Sequence, residues 1–234
     1  MSDGRRRGLH GEIVEILGAR IVTGQIAEGA TLSISALVEE LGISLTVVRE
    51  ALKVLAAKGL VDARQKRGTF VRPRSGWHLL DADVLRWRFS GAVDERFLEQ
   101  LHEVREIIEP AVAKLAAVRR TADDLDALDA ALDAMATAGE ADAAVAADTS
   151  FHRILLGASH NELLEQLEVV LGPGLASRDR FVHGTRDHLD AVPSHAAVVD
   201  ALRRGDAGAA ESAVHQLLHK AGADAREAAK KGEK

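Results

Sequence analysis

The chain has no cysteine and no tyrosine, and only 3% of its 234 residues are aromatic. Without cysteine it forms no disulfide and offers no thiolate to a metal or a substrate, a composition compatible with a cytoplasmic protein. No run of 18 or more apolar residues occurs, so no membrane span is predicted. Apolar residues make up 47% of the chain, enough for one good core or two modest ones. The composition thus predicts a globular protein of one or two domains.

The acidic net charge of −6 conceals a basic N-terminal part. Residues 1–76 contain 12 Lys and Arg against 8 Asp and Glu, a net charge of +4, whereas the remainder contains 18 against 28, a net charge of −10. The basic excess is concentrated in 44–76, where 8 basic residues accompany 2 acidic ones. A basic segment on an acidic body indicates a polyanionic partner for one end of the chain, although a solvated charged face would give the same counts.

Two helical segments separated by a glycine turn occupy the centre of this basic part. Ser33 can cap a helix that stops at Gly42, and Ser44 can cap a second helix over 45–58. An apolar stripe over 9–21 predicts a further helix before them. Helix, glycine turn and helix at this length are typical of a helix-turn-helix.

A basic hairpin is predicted after these helices. Residues 60–63 and 68–71 have the pattern of two short strands around a basic tip, and 72–76 has the composition of a linker. The chain is therefore expected to be mainly α, with a winged helix-turn-helix domain (1–75) and an all-α domain of six or seven helices (76–234). The helices of the second domain are expected over about 79–90, 94–119, 121–137, 140–158, 160–181, 194–204 and 206–229.

The exposed face of the second helix of the motif offers polar and basic side chains to DNA. Side chains near the start of such a helix reach base edges in the major groove, while helix termini and lysines meet phosphate. Arg49 is the expected base reader, because a guanidinium can bind guanine O6 and N7 together. The wing tip would lie along the DNA backbone or the minor groove. The expected DNA-binding residues are Ser44, Thr46, Arg49, Lys53, Arg64, Lys66, Arg67 and Gly68. A winged helix that binds protein instead would leave this basic face without a purpose.

Five short motifs follow one another across the first seventy residues. They are Ile-Val-Thr-Gly at 21–24, Gly-Ala-Thr-Leu at 29–32, Leu-Gly-Ile-Ser at 41–44, Val-Arg-Glu-Ala-Leu at 48–52 and Arg-Gly-Thr-Phe-Val at 67–71. Together they resemble the GntR family of bacterial transcription regulators, which implies a double-stranded DNA operator as partner. We expect a homodimer on a pseudo-palindrome, since one winged helix covers too little DNA for a specific site.

The sequence departs from the pattern of this family at two places. Family members often carry Ser-Arg-Thr-Pro where this chain has Ser-Leu-Thr-Val at 44–47, so a usual DNA contact is missing. Glu28 replaces the proline that commonly precedes Gly29, a change expected to affect only the turn.

Motifs in the second part resemble the FadR-type (FCD) effector domain of the same family. They are Glu-Val-Arg-Glu-Ile-Ile-Glu-Pro at 103–110, Asp-Thr-Ser-Phe-His at 148–152, Ser-His-Asn at 159–161, and His195 followed by Ala-Leu at 201–202. The resemblance implies a helical bundle that binds a small carboxylate effector, often beside a divalent metal. Residues 77–87 are similar to the start of this domain in repressors of sugar-acid (galactonate) operons, although plain packing of a linker helix would also explain them.

Three residues of these motifs form a candidate metal site. Asp148 and His152 are four residues apart, so on a helix they share a face and can hold one ion. His195 can complete a mixed nitrogen and oxygen set suited to zinc, nickel or manganese. The usual fourth ligand of the family, a histidine 22 residues further on, is Leu217 here. The alternative is that the three side chains hydrogen-bond the effector directly, without a metal.

Arg105 is the residue expected to bind the carboxylate of the effector. It lies in mid-helix among apolar neighbours, where a lone cation is costly unless a partner is present. A guanidinium holds a carboxylate through two hydrogen bonds. The alternative is an internal salt bridge to Glu109 or Asp148. The expected effector-binding residues are Arg105, Asp148, His152, Asn161, His183 and His195, and a sugar acid is the expected effector.

The sequence therefore predicts an effector-responsive, DNA-binding repressor of a catabolic operon. The first alternative is an enzyme, such as a metal-dependent hydrolase built on the candidate metal site. It is disfavoured because the chain has no His-Glu-x-x-His motif, no phosphate-binding glycine loop and no nucleophile elbow. The second alternative, an interaction scaffold without a ligand, would leave the polar residues of the helical domain unexplained.

Overall fold

The computed structural model describes residues 3–89, 95–169, 171–172 and 188–232. The chain divides into two compact units, Met1–Val93 and Asp94–Lys234. Within the described ranges, no helix combines the length and the hydropathy that a membrane crossing requires.

The first unit opens with a three-helix arrangement: α1 (Asp3–Val22), α2 (Ile34–Leu41) and α3 (Leu45–Ala57). The hydroxyl oxygens of Ser33 and Ser44 cap α2 and α3 by accepting hydrogen bonds from the third residue of each helix, at 3.3 and 3.4 Å. Gly42 ends α2 with a φ of 64°, a left-handed conformation that glycine adopts without steric cost. The predicted helix-turn-helix is therefore present, with the predicted caps.

Three short antiparallel strands form the wing: β1 (Thr31–Leu32), β2 (Val61–Arg64) and β3 (Gly68–Val71), in the order β1-β3-β2. Arg64 lies opposite Gly68, and the turn between them closes because Lys66 and Gly68 adopt φ values of 68° and 77°. The strand β1 is absent from the sequence-based expectation, since two residues are too few to show a periodicity.

A further helix, α4 (Ala82–Phe89), packs against α1. Trp77 and Trp87 are both buried in the core of the first unit. The ring of Trp87 lies so close to Gly18 that a Cβ on this glycine would come within 2.4 Å of it. The indole N–H of Trp87 donates a hydrogen bond to the Glu15 carboxylate at 2.7 Å. These contacts place α4 with the winged helix.

The division between the units thus differs from the expected domain boundary. The sequence-based boundary lies between residues 75 and 76, whereas the compact units divide between Val93 and Asp94. The physical reason is the packing of Trp77, Val84 and Trp87 into the first core. The apolar pattern identifies a helix at this place but carries no information on the core that the helix joins.

The second unit is helical throughout its described residues. Its helices are α5 (Glu95–Arg119), α6 (Ala122–Thr137), α7 (Ala141–Gly157), α8 (Glu162–Glu165), α9 (Val192–Arg204) and α10 (Ala207–Gly232). The helix α5 packs on α7, α9 and α10, and α6 packs on α7 and α9. Of the helix expected over 160–181, α8 is a single turn, and residues 173–187 lie outside the described ranges. The predicted all-α bundle is confirmed.

Candidate functional site

The helix α3 presents one exposed polar face. Ser44, Thr46, Arg49 and Lys53 are all exposed, while the opposite face of the helix is buried in the core. The ammonium of Lys53 lies 2.7 Å from the carboxylate of Glu50 on the same helix. The structure thus brings together on one surface the residues that the sequence assigns to DNA. Their contacts with bases or phosphates stay predictions.

The wing tip is equally accessible, and its exposed residues are Arg64, Lys66, Arg67 and Gly68. The guanidinium of Arg67 stacks on the Phe70 ring, 3.7 Å from its centroid, and donates a hydrogen bond to the Gly29 carbonyl at 3.2 Å. These contacts hold Arg67 against its own sheet, whereas Lys66 stands at the turn itself. A contact of Lys66 with a phosphate stays a prediction.

Two polar contacts of the first unit, which the sequence did not predict, fix the chain segments that follow the wing. The carboxylate of Glu28 accepts a hydrogen bond from the Arg74 backbone N–H at 3.0 Å, which fixes the chain after the wing. At the end of α3, the ammonium of Lys58 lies 2.8 Å from Asp81 and 2.7 Å from Asp83. Burial alone would lower the pKa of Lys58, but the two carboxylates outweigh it and raise that pKa. The end of α3 is thereby tied to the beginning of α4.

Five ionisable side chains lie buried together in the second unit, each with at most 6% of its surface exposed. Arg105 and Glu109 come from α5, Asp148 and His152 from α7, and His195 from α9. The four-residue spacing on α5 and on α7 turns both members of each pair to the same side. Burying so many charged groups is costly unless they pair with one another.

The centre of this buried cluster is Glu109. Its carboxylate lies 2.5 Å from Arg105 Nε and 2.9 Å from His152 Nδ1. Burial alone would raise the pKa of Glu109, but Arg105 and His152 outweigh that effect and hold the pKa at about 2. The internal salt bridge that the sequence left open is thus formed. The sequence named Glu109 only as one of two possible partners of Arg105, and it did not predict the contact of Glu109 with His152.

The geometry of the candidate metal ligands suits a divalent ion. Ligand atoms of Asp148, His152 and His195 all lie within 4.8 Å of one another. His195 Nδ1 is 2.9 Å from the Ala191 carbonyl, to which it donates, so a neutral ring carries its lone pair on Nε2. This buried Nε2 lies 3.0 Å from Asp148 Oδ1 but makes no hydrogen bond within the described residues. An unsatisfied ring nitrogen beside a carboxylate is what a metal or an effector hydroxyl would engage.

His152 is oriented in the same way as His195. Its Nδ1 faces the Glu109 carboxylate and its Nε2 faces Asp148, 3.7 Å away. A carboxylate or carbonyl partner on the far ring nitrogen is typical of histidines that bind metal. However, Arg105 Nη2 lies 3.1 Å from the same Nε2, so an ion on His152 requires the guanidinium to shift.

The remaining residues predicted from the sequence lie apart or supply no ligand. Leu217 is a buried apolar residue of α10 and offers no fourth donor. The side-chain oxygen of Asn161 caps α8, accepting hydrogen bonds from the Leu163 and Leu164 amides at 3.1 and 3.4 Å. His183 lies outside the described residues. Effector contacts of Asn161 and His183 stay predictions.

Comparison with known families identifies both units. Residues 9–71 match the bacterial regulatory proteins of the gntR family, and residues 100–220 match the FCD domain. The chain belongs to the GntR family. It is 37% identical over 210 residues to the galactonate operon transcriptional repressor of Escherichia coli K12, covering 88% of this chain and 92% of that protein. It is 38% identical over 152 residues to LutR of Bacillus subtilis, covering 63% of this chain and 66% of LutR.

Solved structures agree on the fold. Lar of Listeria monocytogenes aligns over 93% of this chain and 96% of its own, with a TM-score of 0.63 and 17% sequence identity. McbR/YncC of E. coli aligns over 94% of this chain and 97% of its own, with a TM-score of 0.54 and 18% identity. As a GntR regulator with an FCD domain, the protein is a DNA-binding transcription regulator and not an enzyme. The predicted family, fold class and regulatory function are confirmed.

Proposed function

We propose that this GntR regulator is a repressor of a catabolic operon whose effector is a sugar acid or a related hydroxycarboxylate. The observation that carries this proposal is the buried polar cluster of the second unit. Two relatives support the chemical class, one named for a galactonate operon and one, 31% identical over 180 residues, for an L-lactate dehydrogenase operon. Galactonate and lactate each combine a carboxylate with at least one hydroxyl group.

The cluster contains a complementary group for each end of such a molecule. The guanidinium of Arg105 can bind the effector carboxylate beside Glu109, because its five N–H donors serve more than one acceptor. Asp148 and the two imidazoles can receive hydroxyl groups. A fatty acyl chain would instead need a long apolar tunnel with few polar groups.

We assign Asp148, His152 and His195 as the ligands of one zinc, nickel or manganese ion. Two imidazoles and a carboxylate suit these metals, and three protein ligands leave positions for water or effector oxygens. When bound, the ion supplies a Lewis acid for the oxygens of the effector. The competing arrangement has the same three side chains hydrogen-bonding the effector without a metal.

A thermal-shift screen of sugar acids and hydroxy acids tests the effector. A ligand at one hundred times its Kd stabilises the native state by about 2.7 kcal/mol. The melting temperature of the protein should therefore rise with the ligand concentration. Arg105→Ala should abolish most of this rise and leave DNA binding intact, whereas Arg203→Ala, at an exposed arginine, should keep it. Stabilisation by a lipid or an amino acid, with none by hydroxy acids at millimolar levels, would contradict the proposal.

Elemental analysis of protein purified without a His-tag tests the metal. We expect up to one ion per chain, lost in His152→Ala and retained in His160→Ala, which changes an exposed histidine. An ion at full occupancy in His152→Ala would show that the ligands are misassigned. An effector shift that persists after complete chelation would favour the metal-free arrangement.

A homodimer is the assembly that we propose for operator binding, with α5 as its interface. Val104, Ile107 and Val118 are 37%, 75% and 72% exposed, and together with the exposed Ala111 they form one stripe along α5. An exposed apolar stripe of this kind indicates a surface that another protein covers.

The spacing of the apolar residues along α5 favours a second copy of the chain as the occupant. A two-fold axis at Ala111 sets Val104 against Val118 of the other copy, since both lie seven residues from it. The stripe is therefore complementary to itself in an antiparallel pairing.

Sedimentation velocity tests this interface. Ile107→Lys should convert the dimer to a monomer without loss of helix content. Leu163→Lys, at a leucine that is 81% exposed but lies on α8, is the matched control and should leave the dimer intact. A dimer that tolerates Ile107→Lys would exclude α5 as the interface.

A further inference from the structure

Leu45 is an apolar residue on the polar, exposed face of α3. It is the first residue of the helix, directly after the cap Ser44, and 45% of its surface is exposed. Val47, two residues further on, packs against the core, and Leu45 is not part of that packing. Core formation therefore gives no reason for a leucine at this position.

The position of Leu45 relates it to DNA. It precedes Arg49 by four residues and Lys53 by eight, so the three side chains stand in one row along α3. Side chains at the start of a recognition helix approach base edges most closely. This step rests on α3 being the helix that reads bases.

We propose that Leu45 is a specificity-determining residue that selects thymine through its C5-methyl group. Leucine has no side-chain donor or acceptor, so it cannot satisfy the polar edges of guanine, adenine or cytosine. The thymine methyl is the apolar group that the major groove displays, and apolar side chains are its usual contacts. Leu45 and Arg49 would then read neighbouring bases, one by apolar contact and the other by hydrogen bonds.

The contact has an expected size. Burying one methyl group away from water stabilises the protein–DNA complex by about 0.8 kcal/mol, which corresponds to about a fourfold decrease in Kd. The effect is small beside that of a bidentate arginine, so the experiment must change the methyl group alone.

Replacement of thymidine by deoxyuridine makes this change, because only the methyl group of the base is lost. A preferred site is first selected from random double-stranded DNA with the full-length protein, and each thymine of that site is then replaced in turn. When uracil replaces thymine at one particular position of a half-site, the wild-type protein should bind about fourfold more weakly than it binds the unmodified site. Leu45→Ala should bind thymine and uracil equally there and keep its response at every other position.

A matched control and a converse variant complete the test. Leu80→Ala removes another exposed leucine of the same unit, 70% exposed and outside α3, and should keep the uracil penalty. Leu45→Arg should select guanine at the position where the wild type selects thymine. Equal tolerance of uracil by wild type and Leu45→Ala at every thymine would overturn this inference alone. Failure to select any sequence would overturn both this inference and the assignment of α3 as the base reader.

Discussion

Substitution of Glu109 tests whether the buried cluster is organised as described. Glu109→Gln preserves the size of the side chain but removes the negative charge shared by Arg105 and His152. Removing one partner of a buried ion pair costs about 3–5 kcal/mol, because the remaining charge is left in a poorly solvated place. The amide oxygen of glutamine still accepts a hydrogen bond, so we expect a loss near 3 kcal/mol. At about 3 °C per kcal/mol, the melting temperature should fall by roughly 10 °C.

Urea unfolding followed by circular dichroism, together with calorimetry, measures this loss. Glu106→Gln is the matched control, since Glu106 is half-exposed on the same helix and pairs only loosely with His102 at 3.3 Å. Its effect should stay within about 0.5 kcal/mol. The double variant Arg105→Met, Glu109→Met should lose less than the two single methionine variants together, because it removes both members of the ion pair at once. A loss below about 1 kcal/mol in Glu109→Gln would refute the reasoning.

The same carboxylate predicts a pH dependence. The pKa of Glu109 falls from an ordinary 4.5 to about 2 in the folded protein. A lowered pKa contributes stability that is fully present above pH 4.5 and is lost as the pH falls towards 2. At 1.36 kcal/mol per pKa unit, the wild type should lose about 3 kcal/mol over this range through Glu109. Glu109→Gln should lack this component, so stability curves that stay parallel for the two proteins would contradict it.

Three other predictions concern positions outside the cluster. Gly18→Ala places a Cβ within 2.4 Å of the Trp87 ring and should destabilise the first unit by about 1–3 kcal/mol in calorimetry. In DNA-binding titrations, Arg49→Ala should lose preference among sequences, whereas Lys66→Ala should weaken binding to all of them and reduce the salt slope by about one; equal losses in both would count against these roles. Arg203→Met removes an exposed ion pair and should change stability by less than about 0.5 kcal/mol.

Local chemistry made the winged helix largely predictable. Ser33, Gly42 and Ser44 act at the helix ends where the sequence places them, because capping depends on residues within one turn. The hairpin strands were also predicted, whereas the two-residue strand β1 depends on pairing with the distant strand β3, where Thr31 lies opposite Phe70. Such pairing has no local signal.

The residues of the buried cluster could be named from the sequence, but the pairing among them could not. Asp148, His152 and His195 were already grouped from the sequence, and in the structure His195 Nε2 of α9 lies 3.0 Å from Asp148 Oδ1. The sequence could not decide which carboxylate neutralises Arg105. Glu109 lies four residues from it on the same helix, and Asp148 belongs to another motif of the same domain. That choice depends on how α5 and α7 pack, which is a tertiary property.

The two tryptophans give the protein a spectroscopic asymmetry. Trp77 and Trp87 both belong to the first unit, and the chain has no other tryptophan and no tyrosine. Intrinsic fluorescence therefore reports on the winged helix alone, although the effector is expected to bind in the other unit. The Trp87 indole is set against Gly18 and bonded to Glu15, so its emission responds to any displacement of α4. A change in emission on addition of effector would therefore show, without any added label, that effector binding in the second unit alters the first unit.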